Sequence, residues 1–131
     1  MIKRTEIHLD EAQTVVAPAG LKVRPLVEME GGSFAEFSLP AGNVGQPIRH
    51  KTIEEIWHVV SGEGEIWREG INQGDPLPLS EGQCVAVPPR TAFQIKAGTQ
   101  DLVVLAVTMP PWPGDHEVEV VSELGPWMPT A

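Results

Sequence analysis

The sequence predicts an all-β domain, a barrel or sandwich of short antiparallel strands, and three observations support this. Thirteen glycines and thirteen prolines divide the chain of 131 residues into short pieces. Between them lie short β-type runs at regular spacing. No window shows a convincing helical period, and residues 10–13 would make one helical turn at most. The length suits one domain, and we find no repeat, linker or second domain, so residues 1–131 are predicted to form a single unit.

The predicted strands are separated by turn signals. Residues 61–64, Ser-Gly-Glu-Gly, predict a hairpin turn, and residues 70–78 predict a loop that turns at Gly-Asp-Pro. Residues 102–107 are apolar throughout, which predicts a strand covered on both faces. The predicted strands are 21–28, 34–39, 55–60, 65–68, 83–87, 93–96 and 102–108.

The chain changes in composition at Met109. Residues 109–114 hold three prolines, too many for the interior of a sheet, so we expect a Pro-rich C-terminal arm from about residue 109. Residues 117–121 are expected to form a last edge strand. Trp112 and Trp127 are expected to clamp the arm onto the barrel or onto a second subunit.

Composition excludes several classes of function. The net charge is −9 and the nine basic residues are scattered, so nucleic-acid binding is disfavoured. No apolar stretch is long enough to span a bilayer, and the first six residues are not followed by the apolar core of a secretory signal. Cys84 is the single cysteine; it excludes a disulfide framework and is expected to be a small buried apolar residue, with a reactive thiol as the alternative. These features favour the cytoplasm.

Residues 42–64 resemble the first motif of the cupin superfamily. That motif is Gly, five residues, His-x-His, three or four residues, Glu, six residues, Gly. Gly42, His50, Glu55 and Gly62 stand at matching positions, whereas Ile48 stands where the first His belongs.

The second cupin motif is Gly, five residues, Pro-x-Gly, two residues, His. Gly82 and Pro88 match it, but Arg90 stands at the Gly position and Phe93 at the His position. The core motifs therefore lie within residues 42–97, a little under half of the chain.

The resemblance implies a double-stranded β-helix, a jelly-roll-like antiparallel barrel, in which three His and one Glu form a cage for a transition metal. This chain keeps only His50 and Glu55 of those ligands, so we expect no metal site and no cofactor, with an atypical divalent transition-metal site as the alternative. His58 lies three residues after Glu55 and should face away from the lumen unless a bulge intervenes. His8 and His116 have no ligand partner in spacing.

Strand parity then predicts a ligand pocket. Trp57 shares parity with Glu55, and Ile95 shares it with Phe93, whereas Gln94 should face outward. Trp67, on the strand expected to pair with that of Trp57, would add to an aromatic wall, although aromatic residues are also common in a plain core. The predicted lining is Ile48, His50, Glu55, Trp57, Phe93 and Ile95.

His50 and Glu55 are the predicted catalytic residues. A carboxylate beside an imidazole can fix its tautomer and bring its pKa near neutrality, which makes the pair a plausible proton-transfer unit. The alternative is that His50 is an inert, hydrogen-bonded remnant of the fold.

Three functions remain open from the sequence. The first is a pocket for a small organic molecule, with or without metal-independent isomerase, epimerase or lyase chemistry. The second is a metal-dependent oxygenase or isomerase, and the third is a non-catalytic sensor or scaffold. In each case we expect a homodimer, because of the exposed sheet edges and the apolar strand 102–107. The substrate and the reaction cannot be predicted from the sequence.

Overall fold

Two antiparallel β-sheets form the computed structural model, which describes residues 4–130. The strands are β1 Val15–Val16, β2 Lys22–Met29, β3 Gly32–Leu39, β4 Ile48–His50, β5 Glu54–Ser61, β6 Glu63–Arg68, β7 Leu77–Ser80, β8 Cys84–Val87, β9 Phe93–Ala97, β10 Leu102–Met109 and β11 Val118–Val120. Short 3₁₀ turns lie at Leu9–Glu11, Asn72–Gly74 and Asp115–Glu117. The six-stranded sheet has the order β1-β2-β3-β10-β5-β8, and the five-stranded sheet has the order β11-β4-β9-β6-β7.

This architecture confirms the predicted all-β jelly-roll fold, and every predicted strand is present. Residues 1–3 and 131 of the predicted domain lie outside the described residues. Residues 1–3 are also the first half of the segment 1–6, for which we expect no secretory signal. Three short strands were not predicted, namely β1, β4 and β7. Strand β7 covers the end of the predicted loop 70–78, and it tolerates Pro78 because it lies at a sheet edge, where a missing N–H breaks no internal ladder.

The segment 61–64 does not form the predicted hairpin. Strand β5 pairs with β10 and β8, whereas β6 pairs with β9 and β7, so the chain crosses from one sheet to the other at Gly62. Gly62 has φ +85°, and a Cβ there would collide with the carbonyl oxygen of Asp101. Only glycine fits such a backbone, which explains the glycine at this motif position.

The core lies between the two sheets. Side chains alternate along β10, where Leu102, Val104 and Ala106 are buried and Val103 and Leu105 are partly exposed. Within residues 4–130, strand β10 is therefore covered on one face. The expected cover on the other face remains a prediction.

Cys84 is exposed, so the prediction that it is a buried apolar residue was wrong. Its strand, β8, is the edge strand of the six-stranded sheet, and its burial alternates along the strand. Cys84 lies on the outer face, where its Sγ is 3.5 Å from Nδ1 of the exposed His58.

The Pro-rich arm packs on the barrel of its own chain. Gln94 faces away from the lumen, as its parity predicts, but it is fully buried because the arm covers it. Its Nε2 donates to the carbonyl oxygens of Gly45 (2.9 Å) and Trp127 (2.8 Å), and its Oε1 accepts from Trp127 N (3.2 Å). Lys96 Nζ lies 4.7 Å from the centroid of the Trp127 ring. In the described part of the chain, no helix has the length and apolar character needed to cross a membrane.

Candidate functional site

A cavity of about 630 Å³ opens between the two sheets, and most of its lining is apolar. Five of the six predicted pocket residues line it, namely Ile48, His50, Glu55, Trp57 and Phe93. The exception is Ile95, which is buried in the core cluster and does not reach the cavity wall.

Alternation along the strands carries these side chains inward. On β4, Ile48 and His50 are buried and the residue between them is partly exposed. On β5, Glu55 and Trp57 are buried, while Glu54 faces solvent. Because successive side chains of a strand point to opposite faces, one strand from each sheet places the imidazole and the carboxyl group in the same lumen.

His50 and Glu55 form a buried pair at the wall of the cavity. His50 Nδ1 lies 3.5 Å from Glu55 Oε1, and the two side chains are 5% and 9% exposed. Among the described residues, nothing forms a hydrogen bond with His50 Nδ1. The other carboxyl oxygen, Glu55 Oε2, accepts a short hydrogen bond from Trp57 Nε1. Trp57 thus orients the carboxyl group, and one oxygen of Glu55 stays directed at His50.

Burial moves the two pKa values in opposite directions. It lowers the pKa of His50 from 6.5 to about 4, and the nearby Glu117 carboxylate only partly opposes this shift. It raises the pKa of Glu55 from 4.5 to about 7, and the hydrogen bond from Trp57 acts against this shift. Both shifts follow from the cost of a charge in a medium of low polarity. The expectation that the pKa of His50 lies near neutrality was therefore wrong; Glu55 is the group with a near-neutral pKa.

Aromatic rings enclose the imidazole. The ring of Phe93 lies 5.3 Å from that of His50, and the ring of Trp112 from the arm lies 5.5 Å from it, both edge-on. Trp57 and Phe93 are 5.5 Å apart in the same geometry. Trp67 is not part of this wall. It stands opposite Gln94 in the five-stranded sheet, on the face that points away from the lumen. Trp112 was expected only to clamp the arm, and it also forms part of the cavity wall.

A row of polar side chains crosses the six-stranded sheet at the cavity. Thr108 on β10 stands opposite Ser33 on β3 and opposite Glu55 on β5. The hydroxyl groups of Ser33 and Thr108 share a short hydrogen bond, and Ser33 Oγ also accepts from Trp112 N at 2.9 Å. The row places two hydroxyl groups beside the carboxyl group.

Glu117, in the arm, anchors the turn that connects His50 and Glu55. Its carboxylate accepts from Thr52 Oγ1 (2.6 Å) and from the backbone N–H groups of Thr52 (2.5 Å) and Ile53 (3.0 Å), between β4 and β5. Burial raises the pKa of Glu117, but these hydrogen bonds outweigh it and bring the pKa to about 2. Glu117 is thus a buried carboxylate that is ionised at neutral pH, and it fixes the connection between His50 and Glu55.

The backbone of Arg90 is hydrogen-bonded to strand β4, which carries His50. Its backbone N–H donates to the carbonyl oxygen of His50 at 2.9 Å, and its φ is +59°, in the left-handed region. This backbone explains why a glycine belongs at this position of the motif, since residues with a Cβ are strained there.

The residues of the site do not form the metal cage that the motif resemblance implies. Ile48 and Phe93 occupy two of the four ligand positions, and neither can bind a metal. Across residues 4–130, no group of three or more His, Cys, Asp or Glu side chains is placed to hold a metal ion. His58 faces outward as predicted, and His8 is also on the surface. A three-His, one-carboxylate site does not fit these side chains.

Sequence reasoning missed four residues of this region: Ser33, Thr108, Trp112 and Glu117. Thr108 was detectable, because it is the one polar residue at the inward parity of strand β10. Ser33 can be identified only once its pairing with Thr108 is known. Trp112 and Glu117 lie in the arm, and no sequence periodicity predicts the path of the arm.

Comparisons with known proteins agree with this fold. A sequence model of the family described as "Cupin domain" matches residues 35–108. An uncharacterized protein of Methanocaldococcus jannaschii, MJ1618, is 27% identical over 92 residues, which is 70% of this chain and 69% of that protein. The structure of KdgF from Halomonas sp. superposes with a TM-score of 0.70 at 23% identity, covering 81% of this chain and 94% of the other. The polyketide cyclase RemF from Streptomyces resistomycificus has a TM-score of 0.72 at 18% identity, with coverage of 92% and 86%.

Proposed function

This chain belongs to the cupin family, and on that premise we propose that it binds a small organic molecule and catalyses metal-independent proton transfer on it, as an isomerase, epimerase or lyase. The observation that carries the proposal is the buried pair of His50 and Glu55, 3.5 Å apart in a largely apolar cavity. Solved structures with this fold include an enzyme, the polyketide cyclase RemF, and that likeness concerns the fold.

Glu55 is the proposed proton carrier. With a pKa of about 7, its carboxyl group is present in both protonation states at neutral pH, which is the condition under which one group works as base and then as acid. As carboxylate it removes a proton from a C–H bond next to an electron-withdrawing group, and the bonding electron pair moves into that group. As carboxylic acid it then returns the proton to the substrate, at another atom or onto a leaving oxygen.

His50 is the proposed partner of Glu55. Its lowered pKa keeps the imidazole neutral, so Nδ1 either carries a hydrogen or accepts one. A neutral ring can donate to the Glu55 carboxylate and, in its other tautomer, accept from the carboxylic acid. His50 therefore stabilises both states of Glu55 without adding a buried charge, and it acts on the proton of Glu55 rather than taking the substrate proton itself.

The second function considered from the sequence, a metal-dependent oxygenase or isomerase, has little support from this site. Only His50 and Glu55 remain of the family's ligand set, and two protein ligands rarely hold a transition metal. The absence of any cofactor, the cytoplasmic location and the homodimer remain predictions.

Exchange of substrate hydrogens with solvent tests the proposal. The purified protein is incubated in D₂O with neutral ketones that have acidic α-hydrogens, such as 2-indanone and 2-tetralone, and exchange is followed by ¹H NMR. We expect catalysed exchange that survives EDTA and falls by about a hundredfold or more in Glu55→Gln, the size of a general-base contribution.

Glu54→Gln is the matched control, because it removes the neighbouring, solvent-exposed carboxylate of the same strand and should leave the rate unchanged. Exchange that stops with EDTA, exchange unaffected by Glu55→Gln, or no catalysed exchange on any of these ketones would overturn the proposal.

A further inference from the structure

We propose that the cavity takes an uncharged, flat and largely apolar carbonyl compound, whose oxygen accepts a hydrogen bond from the paired hydroxyl groups of Ser33 and Thr108. This inference rests on the proposed function, because it treats Glu55 as the proton-transfer group.

The hydroxyl pair has one proton to spare. Ser33 and Thr108 carry two hydroxyl hydrogens, and the bond between them uses one. Trp112 N donates to Ser33 Oγ, which adds a donor and consumes no hydroxyl hydrogen. Whichever hydroxyl donates in the mutual bond, the other keeps its hydrogen, and among the described residues no further acceptor takes it. Both side chains line the cavity, so this hydrogen is available to a ligand oxygen.

The strand register places this donor beside the proton carrier. Thr108 and Glu55 are directly opposite on the neighbouring strands β10 and β5. Opposed residues on one face have Cβ atoms about 4.5–5.5 Å apart. A carbonyl oxygen held by the hydroxyl pair therefore brings the adjacent carbon within reach of the Glu55 carboxyl group, the arrangement that removal of an α-hydrogen needs.

The charges around the cavity favour an uncharged ligand. The chain has a net charge of −9, and Glu28, Glu55 and Asp115 line the cavity. Among the described lining residues, Arg4 supplies the one basic side chain, and it donates to the carbonyl oxygens of Leu26 (2.7 Å) and Pro25 (2.9 Å). A carboxylate or phosphate would meet acidic side chains on the wall and a guanidinium whose N–H groups already donate to backbone carbonyl oxygens, so anions are disfavoured.

The size and walls favour a flat ring system. About 630 Å³ is the size of cavities that hold drug-sized molecules. Trp57, Phe93 and Trp112 line it with aromatic surface around His50, and the hydroxyl groups of Ser33 and Thr108 lie in one row with Glu55. Such a cavity suits a molecule with one oxygen-bearing end and an apolar ring body.

A purely structural role of the hydroxyl pair, anchoring Trp112, is the competing explanation. It predicts that removing a hydroxyl lowers stability and weakens all ligands alike. A ligand-binding role predicts a loss specific to ligands that contain a carbonyl oxygen. The ratio of affinities for a ketone and for its parent hydrocarbon separates the two explanations.

The test measures binding, without turnover, by ligand-observed NMR and calorimetry on the whole chain. The probes are 2-tetralone, its hydrocarbon tetralin and the anion 2-naphthoate. We expect 2-tetralone to bind about tenfold more tightly than tetralin, the effect of one hydrogen bond, and 2-naphthoate to bind more weakly than 2-tetralone. In the double variant Ser33→Ala/Thr108→Val, which removes both hydroxyl hydrogens, the preference for ketone over hydrocarbon should fall to about unity, and Ser33→Ala/Thr108→Ala provides a second variant should the first fail to fold.

Thr99→Val is the control, because this exposed threonine bonds Glu63 away from the cavity. A preference for 2-naphthoate, no binding of 2-tetralone, or an unchanged ketone preference in the folded hydroxyl variants would overturn the inference. Failure of the two proposals is distinguishable: ketone-selective binding without hydrogen exchange refutes the proton transfer alone, whereas hydrogen exchange with an unchanged ketone preference in the folded hydroxyl variants refutes the role of the hydroxyl pair alone.

Discussion

His50 Nδ1 and Glu55 Oε1 face each other at 3.5 Å, and burial shifts the pKa values of both side chains so that each favours its neutral form. The pair is therefore neutral as a whole around pH 5–6, with the proton on the carboxyl group rather than on the imidazole. In the usual ion pair of a histidine with a glutamate, the imidazole carries the proton and the carboxylate does not. The reversed position of the proton in this pair affects both stability and chemistry.

We predict that single substitutions of the pair give opposite dependences of stability on pH. The folded pKa of Glu55 is raised, so its contribution is present below pH 4.5 and is lost as the pH rises through about 7. The folded pKa of His50 is lowered, so its contribution is present above pH 6.5 and is lost as the pH falls through about 4. In the intact protein the two trends largely cancel between pH 4.5 and 6.5.

Removing one partner should expose the trend of the other. Urea unfolding at pH 4.5 and pH 7 should show Glu55→Gln gaining stability with pH and His50→Gln losing it, each by about 1–3 kcal/mol at about 1.4 kcal/mol per pKa unit. Glu54→Gln and His58→Gln, which change outward residues of β5, are the controls and should follow the parent protein. Slopes of the same sign in the two pair variants would refute the assignment of the proton to Glu55.

The Glu117 contacts predict a strong effect of removing its charge. Glu117→Gln should lower the free energy of unfolding by about 1.5–3 kcal/mol at pH 7, because charge-assisted hydrogen bonds to Thr52 and Ile53 are lost. Since the folded pKa is lowered to about 2, the contribution is present above pH 4.5 and is lost as the pH falls toward 2.

The difference between Glu117→Gln and the parent protein should therefore shrink in denaturant titrations at pH 2.5. Glu119→Gln changes the same charge in the same segment, where the carboxylate makes only an exposed contact of 3.4 Å with Arg49, and it should have little effect. An equal effect of the two substitutions would contradict the role given to Glu117.

Backbone strain at Arg90 predicts a stabilising substitution. Arg90→Gly should raise stability by about 1 kcal/mol relative to Arg90→Ala, because only glycine adopts φ +59° without strain. Both variants lose the same charge and side chain, so their difference in thermal unfolding isolates the backbone term. If Arg90→Ala proves as stable as Arg90→Gly, the left-handed backbone carries no cost here.

The outer face of the six-stranded sheet predicts self-association. Ile56 is 53% exposed and stands opposite Val107, with Val60, Val103 and Leu105 nearby on the same face. The side chains of this patch are apolar, and Glu36 and Glu54 border it on the same face, so a second copy would bury apolar surface there. Sedimentation velocity should show a dimer that Ile56→Asp converts to monomer, whereas Met128→Asp, at an exposed apolar residue of the arm, should leave it intact. A monomeric parent protein at micromolar concentration would disprove this prediction.

The predictable part of the site followed from the motif resemblance and from the two-residue period of strands. The motif resemblance placed His50, Glu55 and Phe93 at the cavity, and strand parity added Trp57, which lies two residues after Glu55 on the same strand. Parity gives the face of a strand but not which inward-facing residues reach the cavity, and Ile95 is buried in the core instead.

The errors came from features that depend on neighbours distant in sequence. Cys84 was misplaced because an apolar run does not reveal that its strand is a sheet edge. Gln94 is buried although it faces away from the lumen, because Trp127 of the arm, 33 residues later in the chain, packs against it. The pKa of His50 depends on how completely Phe93 and Trp112 exclude water, and no local pattern encodes this.

The position of Trp112 over His50 also makes the protein its own optical reporter. Two of its four tryptophans, Trp57 and Trp112, line the cavity, and Trp67 and Trp127 do not. Trp57 is already buried, so a ligand that displaces water from the partly exposed Trp112 shifts the emission of that indole to shorter wavelength, while Trp67 and Trp127 give a constant background. Intrinsic fluorescence can therefore show whether the cavity is occupied, and screening for the natural ligand needs no label and no assay of turnover.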